Sequence, residues 1–307
     1  MPRLAAIDLG TNTVRLLVAE ASGATWRAVD HAQQVTRLGE GQGSRGPLRD
    51  GPMARTTAVV ADYVAQARRL GAATIRIVAT SAVREAPNGA AFADRLRAAT
   101  GLGVDVLSGE EEARLALLGV ASGLPALGGA FLLLDIGGGS TELVHARPGL
   151  PPVAVSLRLG VVALAERFVA DAGPVARARF AEMAREVEGR LAAELPPSIA
   201  AARAPALVGT AGTVTTLAAL DLGLAAYDAE RVQGHVLTRA AIERQLARLA
   251  ALPLAERAAL PCLEPGRADL VIPGIAICLA ALDRLGFTVL VVSDRGLREG
   301  LVQDMLA

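Results

Sequence analysis

Asp135-Ile136-Gly137-Gly138-Gly139-Ser140-Thr141-Glu142 lies between two apolar runs, Phe131-Leu132-Leu133-Leu134 and Leu143-Val144-His145-Ala146. Run, glycine turn and run read as a β-hairpin. Three glycines strip the turn of side chains, and successive amides there form a concave nest of N–H donors that suits phosphate. The acids at its two ends, Asp135 and Glu142, make no sense for phosphate alone. Carboxylates beside phosphate imply a divalent cation that reconciles the charges. An ordinary hairpin is the plain alternative for the glycines taken by themselves.

A second copy stands near the N-terminus: Ala5-Ala6-Ile7-Asp8-Leu9-Gly10-Thr11-Asn12-Thr13-Val14-Arg15-Leu16-Leu17-Val18-Ala19. Setting Asp8 on Asp135 places Gly10 on Gly137, Thr13 on Ser140 and Leu16-Leu17 on Leu143-Val144. Each copy is an apolar strand ending in Asp-apolar-Gly, a small polar turn and a second apolar strand. Internal similarity of this kind points to a duplicated domain. Two such hairpins facing one another would enclose a polyphosphate group.

The 307 residues suffice for two domains of ordinary size, and 52% hydrophobic against 20% charged residues is a globular composition. The longest apolar run, residues 270–282, is too short to span a bilayer and contains Pro273 and Gly274. With no basic-plus-apolar leader before Asp8, a cytoplasmic protein without membrane association is expected. Cys262 and Cys278 lack metal spacing and read as buried thiols in a reducing compartment. Net charge is zero, so no global field draws in nucleic acid. All 31 basic residues are arginine. A P-loop lysine and a Schiff-base lysine are therefore excluded, and any phosphate clamp must use arginine, amides or hydroxyls.

In order, the Asp8 hairpin leads to a third strand, Thr25–Val35, and a glycine-rich loop over 39–51. Asp50 is expected to cap a helix over 52–70. A buried strand over 74–79 ends in Thr80-Ser81, and a short helical piece carries Arg84. A helix over 92–99 is stopped by Gly101, and a strand follows at 104–107. Ser108 caps a helix that opens with Glu110-Glu111-Glu112, acids well placed against the helix dipole. Glycines and Pro125 over 122–129 suggest a hinge, giving domains 1–124 and 125–307. The second begins with the glycine hairpin and a strand over 153–159, then helices over 161–170 and 174–194. A strand from Ala206 runs through Gly209-Thr210-Ala211-Gly212-Thr213 into a helix, a turn that aims amides at an anion. Three helical stretches fill 238–285, a strand covers Val289–Val292, and a helix over 296–305 closes the chain.

Two such units resemble the actin-like ATPase superfamily, and within it the exopolyphosphatase/guanosine pentaphosphate phosphatase family. The resemblance is carried, in order, by Ala6-Ile7-Asp8-Leu9-Gly10-Thr11-Asn12, Ala79-Thr80-Ser81-Ala82-Val83-Arg84, Ser108-Gly109-Glu110-Glu111-Glu112-Ala113-Arg114, the Asp135–Glu142 stretch, Gly209-Thr210-Ala211-Gly212-Thr213, and Val292-Ser293-Asp294-Arg295-Gly296-Leu297-Arg298-Glu299-Gly300. It implies an α/β fold of two actin-like (ribonuclease H-like) domains with mixed sheets, related by duplication, with the active site in the cleft between them. Longer members continue into a helical C-terminal domain, so the resemblance is to a short form.

The resemblance picks out Glu112, before Ala113-Arg114, as the general base; two of the three glutamates read as a solvated helix start. It makes Asp135 and Glu142 the ligands of Mg2+, with Mn2+ as the alternative ion. Asp8 is the matching acid and shares the ion, or else caps its hairpin. Arg84 would grip a terminal phosphate bidentately. Asn12, Thr13, Gly138, Gly139, Ser140, Thr210, Gly212 and Thr213 would supply amide and hydroxyl donors. His31, His145 and His235 have no ligand spacing and receive no role.

The implied activity is release of orthophosphate from the end of inorganic polyphosphate, with guanosine pentaphosphate as the other substrate. A kinase of the same superfamily and a nucleotide-gated, non-enzymatic sensor are the competing classes. The first needs an adenosine pocket for which the second half shows no block of residues; the second has no use for a dedicated base. Oligomeric state stays open, a homodimer being ordinary.

Overall fold

The computed structural model describes residues 1–43, 45–169 and 171–307, and the chain forms two compact units. Residue 44 of the expected 39–51 loop and the last residue of the expected 161–170 helix lie outside the described residues. One unit comprises residues 1–122 and 295–307, the other residues 123–294.

The first unit runs β1 (Arg3–Leu9), β2 (Thr13–Ser22), β3 (Thr25–Val35), α1 (Asp50–Arg69), β4 (Ala72–Ala79), α2 (Ser81–Glu85), α3 (Gly89–Thr100), β5 (Val104–Val106) and α4 (Gly109–Gly123). Its sheet has the order β3-β2-β1-β4-β5. β1 pairs antiparallel with β2 and parallel with β4, so the sheet is mixed. β1 and β2 are apolar almost without alternation because both of their faces are buried. Ala5, Ile7, Leu9, Val14, Leu16 and Val18 point into one core with α1 and α3. Ala6, Leu17 and Ala19, at the intervening positions, point into another.

The second unit continues with β6 (Phe131–Ile136), β7 (Thr141–Arg147), β8 (Leu150–Leu157), α5 (Val161–Phe168), α6 (Arg177–Glu194), α7 (Pro197–Ala200), β9 (Leu207–Thr210), α8 (Ala211–Asp221), α9 (Ala229–Val232), β10 (Val236–Thr238), α10 (Arg239–Ala250), α11 (Leu254–Ala258), α12 (Val271–Leu285) and β11 (Val289–Val292). α13 (Leu297–Asp304) ends the chain. The sheet order is β10-β11-β9-β6-β7-β8, again with an antiparallel three-strand meander joined to parallel strands. The architecture is therefore the expected duplicated α/β pair with mixed sheets. No helix of the described residues is long and apolar enough to cross a membrane.

Several expectations need correction. The closing helix, assigned to the 125–307 domain, packs in the first unit. Leu301 and Val302 share a core with Ala6, Leu17, Val78 and Leu115. Gly300 lies so close to α4 that a Cβ there would sit 1.8 Å from the Leu115 carbonyl oxygen. Asp304 receives Arg76 at 2.7 Å and Arg114 at 2.8 Å. These partners are distant in sequence, so local pattern could not reveal them. Asp50 lies inside the first turn of α1, with Arg49 at the cap. Cys278 is buried, but Cys262 is only partly so. β10 was missed: it has three residues on the sheet edge, two of them exposed, and carries no alternating signal.

Candidate functional site

In the second unit, Asp135 on β6 stands opposite Glu142 on β7, opposite Thr210 at the end of β9, and Glu142 in turn stands opposite Ser156 on β8. Directly opposed residues share one face of a sheet, so Thr210, Asp135, Glu142 and Ser156 form a polar row across four strands. Glu142 is 1% exposed. Ser156 Oγ donates to Glu142 Oε1 at 2.7 Å.

The turn between Asp135 and Glu142 closes with the Gly137 N–H donating to the Ser140 carbonyl at 2.9 Å. A Cβ on Gly137 would lie 3.0 Å from that oxygen, closer than a Cβ normally sits, so the turn favours glycine there. The start of α5 braces it from below: the N–H of Val161 donates to Gly137 O and that of Val162 to Gly138 O. Gly160 permits this approach, since a Cβ there would fall 2.3 Å from Gly138 O and 2.4 Å from Gly139 Cα.

The first hairpin repeats the turn, with the Gly10 N–H donating to Thr13 O at 3.1 Å and the same 3.0 Å limit on a Cβ. Its charges differ. Asp8 faces Arg15 where Asp135 faces Glu142, and Arg15 Nη1 donates to Asp8 Oδ2 at 3.3 Å. Burial nevertheless pushes the Asp8 carboxyl above its usual range, outweighing the guanidinium. Among the described residues, Asp8 Oδ1, Thr11 Oγ1 and Asn12 Oδ1 are buried and meet no hydrogen-bond partner. Asn12 Nδ2 donates to Thr13 Oγ1 at 3.2 Å, so that amide nitrogen, expected to serve an anion, is engaged within the turn.

Also in the first unit, Ser108 caps α4, its Oγ accepting from the Glu111 N–H at 3.1 Å. Of the three glutamates that follow, Glu110 and Glu111 are exposed while Glu112 is buried. Arg84, on α2, donates from Nη1 to Glu112 Oε2 at 2.8 Å and to the Leu107 carbonyl at 2.9 Å, and from Nε to Glu85 at 3.3 Å. α2 is tied to the end of β1 by the Thr80 N–H, which donates to Leu9 O at 3.3 Å. The fold thus brings Arg84 and Glu112 into contact and sets both near the strand that carries Asp8.

At the β9–α8 junction Ala211 adopts φ +67°, a left-handed conformation that residues with a Cβ rarely take. Strain of this kind persists where surrounding structure over-determines it, and functional turns are where it collects. Thr213 is buried against Gly274 of α12, where a Cβ would fall 2.4 Å from its side chain. The Ser293 N–H donates to Gly209 O at 2.8 Å, bracing the junction from β11.

Sequence reading did not find Ser156, Gly160 or Gly274. Ser156 and Gly274 lie outside the motif blocks, and their roles appear only from register and packing. Gly160 had a signal: a lone glycine just before a helix that follows the third strand of the meander. His235 pairs with Asp221 at 3.0 Å.

Among the described residues no three His, Cys, Asp or Glu side chains converge as a metal cage. Mg2+ commonly takes one or two carboxylates and completes its shell with water and substrate phosphate. Asp135 and Glu142, two hard-oxygen ligands facing each other beside a glycine turn, fit that habit; Asp8, already facing Arg15, fits it less well.

A model of the Ppx/GppA phosphatase family matches residues 17–307. Exopolyphosphatase 2 of Mycobacterium tuberculosis is 35% identical over 319 residues, covering 99% of each chain. A crystal structure of the Aquifex aeolicus Ppx/GppA family member is 31% identical with a TM-score of 0.81, covering 99% of this chain and 97% of that one. An exopolyphosphatase structure from Cytophaga hutchinsonii is 26% identical with a TM-score of 0.90, over the same shares.

Proposed function

Since this chain belongs to the Ppx/GppA phosphatase family, we propose that it is a Mg2+-dependent phosphohydrolase removing terminal orthophosphate from inorganic polyphosphate. Guanosine pentaphosphate, which ends in the same phosphoanhydride, is the second substrate of this reading. The observation that carries it is the buried Glu112 held by Arg84 at 2.8 Å while its two neighbours face solvent.

In-line attack on a phosphoryl group asks the protein for positioning and charge neutralisation more than for covalent chemistry. Glu112 accepts the proton of the attacking water. Arg84 shares its guanidinium between Glu112 and the terminal phosphate, which fixes the water beside the phosphorus. In the second unit, the amides of Gly138, Gly139 and Gly212 and the hydroxyls of Ser140, Thr210 and Thr213 would donate to phosphate oxygens; in the first unit, Asn12 and Thr13 would do so. Asp135 and Glu142 would hold the cation within the second unit. When bound, Mg2+ or Mn2+ neutralises charge on the phosphate oxygens.

The test measures orthophosphate released from polyphosphate, guanosine pentaphosphate and ATP, with Mg2+ and with EDTA. Release from polyphosphate that needs the metal and no second acceptor supports the reading. Full activity in EDTA removes the metal from it, and transfer that requires an acceptor replaces it with a kinase.

A further inference from the structure

The duplication sets two register rows side by side for comparison. In the first unit Val78, Asp8, Arg15 and Gln33 stand opposite one another across β4, β1, β2 and β3. In the second the row is Thr210, Asp135, Glu142 and Ser156. Where the first unit sets a cation against its aspartate, the second sets another carboxylate. Like charges directly opposed across an antiparallel pair repel, and at 1% exposure Glu142 has little water to screen it.

Ser156 answers that charge from the edge strand. A serine hydroxyl has one proton to give, and this one goes to Glu142 Oε1 at 2.7 Å. A hydroxyl donating to an ionised carboxylate makes a charge-assisted bond, stronger than one between neutral groups. The acceptor also lies on the strand directly opposite, so the bond fixes where the carboxylate points.

We infer that Ser156 is a positioning residue, whose hydroxyl sets the Glu142 carboxylate in the orientation that binds a divalent cation together with Asp135. This rests on the reading of Asp135 and Glu142 as metal ligands. Groups that orient a ligating carboxylate change metal affinity without touching the metal.

The test uses Mn2+ alone as the probe and no turnover. Free Mn2+ is followed by electron paramagnetic resonance, with and without orthophosphate, for wild type, Ser156→Ala, Ser156→Thr, Glu142→Gln and Asp135→Asn. Circular dichroism in EDTA establishes that each variant is folded. Ser156→Ala should weaken binding by about 10–100-fold, and Ser156→Thr, which keeps the hydroxyl, should restore it. Wild-type affinity in Ser156→Ala beside a loss in Glu142→Gln overturns the positioning role and leaves the metal site standing. Equal losses in Ser156→Thr and Ser156→Ala also overturn it, because the loss then follows packing. Unchanged affinity in both Glu142→Gln and Asp135→Asn, or no Mn2+ binding by wild type under either condition, overturns the metal reading and the positioning role with it.

Discussion

Arg84 donates from one nitrogen, Nη1, to both Glu112 Oε2 at 2.8 Å and the Leu107 carbonyl at 2.9 Å. The guanidinium that would grip a phosphate is thus already bonded to the carboxylate that would activate water. In the proposed mechanism, substrate binding and base positioning would be coupled through this one side chain.

That coupling predicts non-additive kinetics. Glu112→Gln should lower kcat roughly 10²–10⁴-fold, the usual worth of a general base. Glu111→Gln, altering an exposed carboxylate, should change it little. Arg84→Ala should raise KM and lower kcat together, and the double variant should be less impaired than the product of the two single effects. Steady-state kinetics on polyphosphate checks this; equal losses from Glu111→Gln and Glu112→Gln would show the wrong glutamate had been chosen.

Gly160 braces the glycine turn at a distance that leaves no room for a methyl group. Gly160→Ala should cost about 1–3 kcal/mol, the usual price of overpacking, because the clash is with backbone that cannot rotate away. Gly189→Ala, where an added Cβ meets nothing within 4 Å, is the matched control. Urea denaturation of both variants reads the difference, and activity should fall in Gly160→Ala at temperatures where it remains folded.

Asp304 ties α13 into the first unit through Arg76 and Arg114. Hydrogen bonding from Arg114 leads the effects that hold its carboxyl below the usual aspartate range, against a smaller cost of burial. A carboxyl depressed on folding stabilises the protein above its unfolded pKa, and that stability drains away as pH falls through the folded value. Asp304→Asn should therefore lower the urea midpoint at pH 7, and the gap from wild type should close as pH falls below about 4. A gap of the same size at pH 3 would contradict the assignment.

Much of the fold was legible because its signals are local. Asp8 and Asp135 each end an apolar strand before a tight turn, and the two turns proved to share one hydrogen bond, Gly10 to Thr13 and Gly137 to Ser140. Glu112 could be separated from Glu110 and Glu111 only by family resemblance, and burial then distinguished it. What escaped is what depends on partners far along the chain. Ser156 matters through register, Gly274 through a helix packed on Thr213, and α13 through carboxylate and glycine contacts to α4 and β4. None of these leaves a periodic trace. The opposite charges of the two repeats, Arg15 against Glu142, were visible in the sequence, but their meaning required knowing that each faces the aspartate across the hairpin.

The central claim, that Glu112 directs water onto a terminal phosphoryl group of polyphosphate, is tested most directly in 18O-enriched water. Wild type and Glu112→Gln are given polyphosphate and Mg2+, and released orthophosphate is weighed by mass spectrometry as its rate is recorded. The account predicts one 18O atom in each orthophosphate from wild type, and a rate roughly 10²–10⁴-fold lower in the variant. Orthophosphate that carries no label, or a variant as fast as wild type, would contradict it.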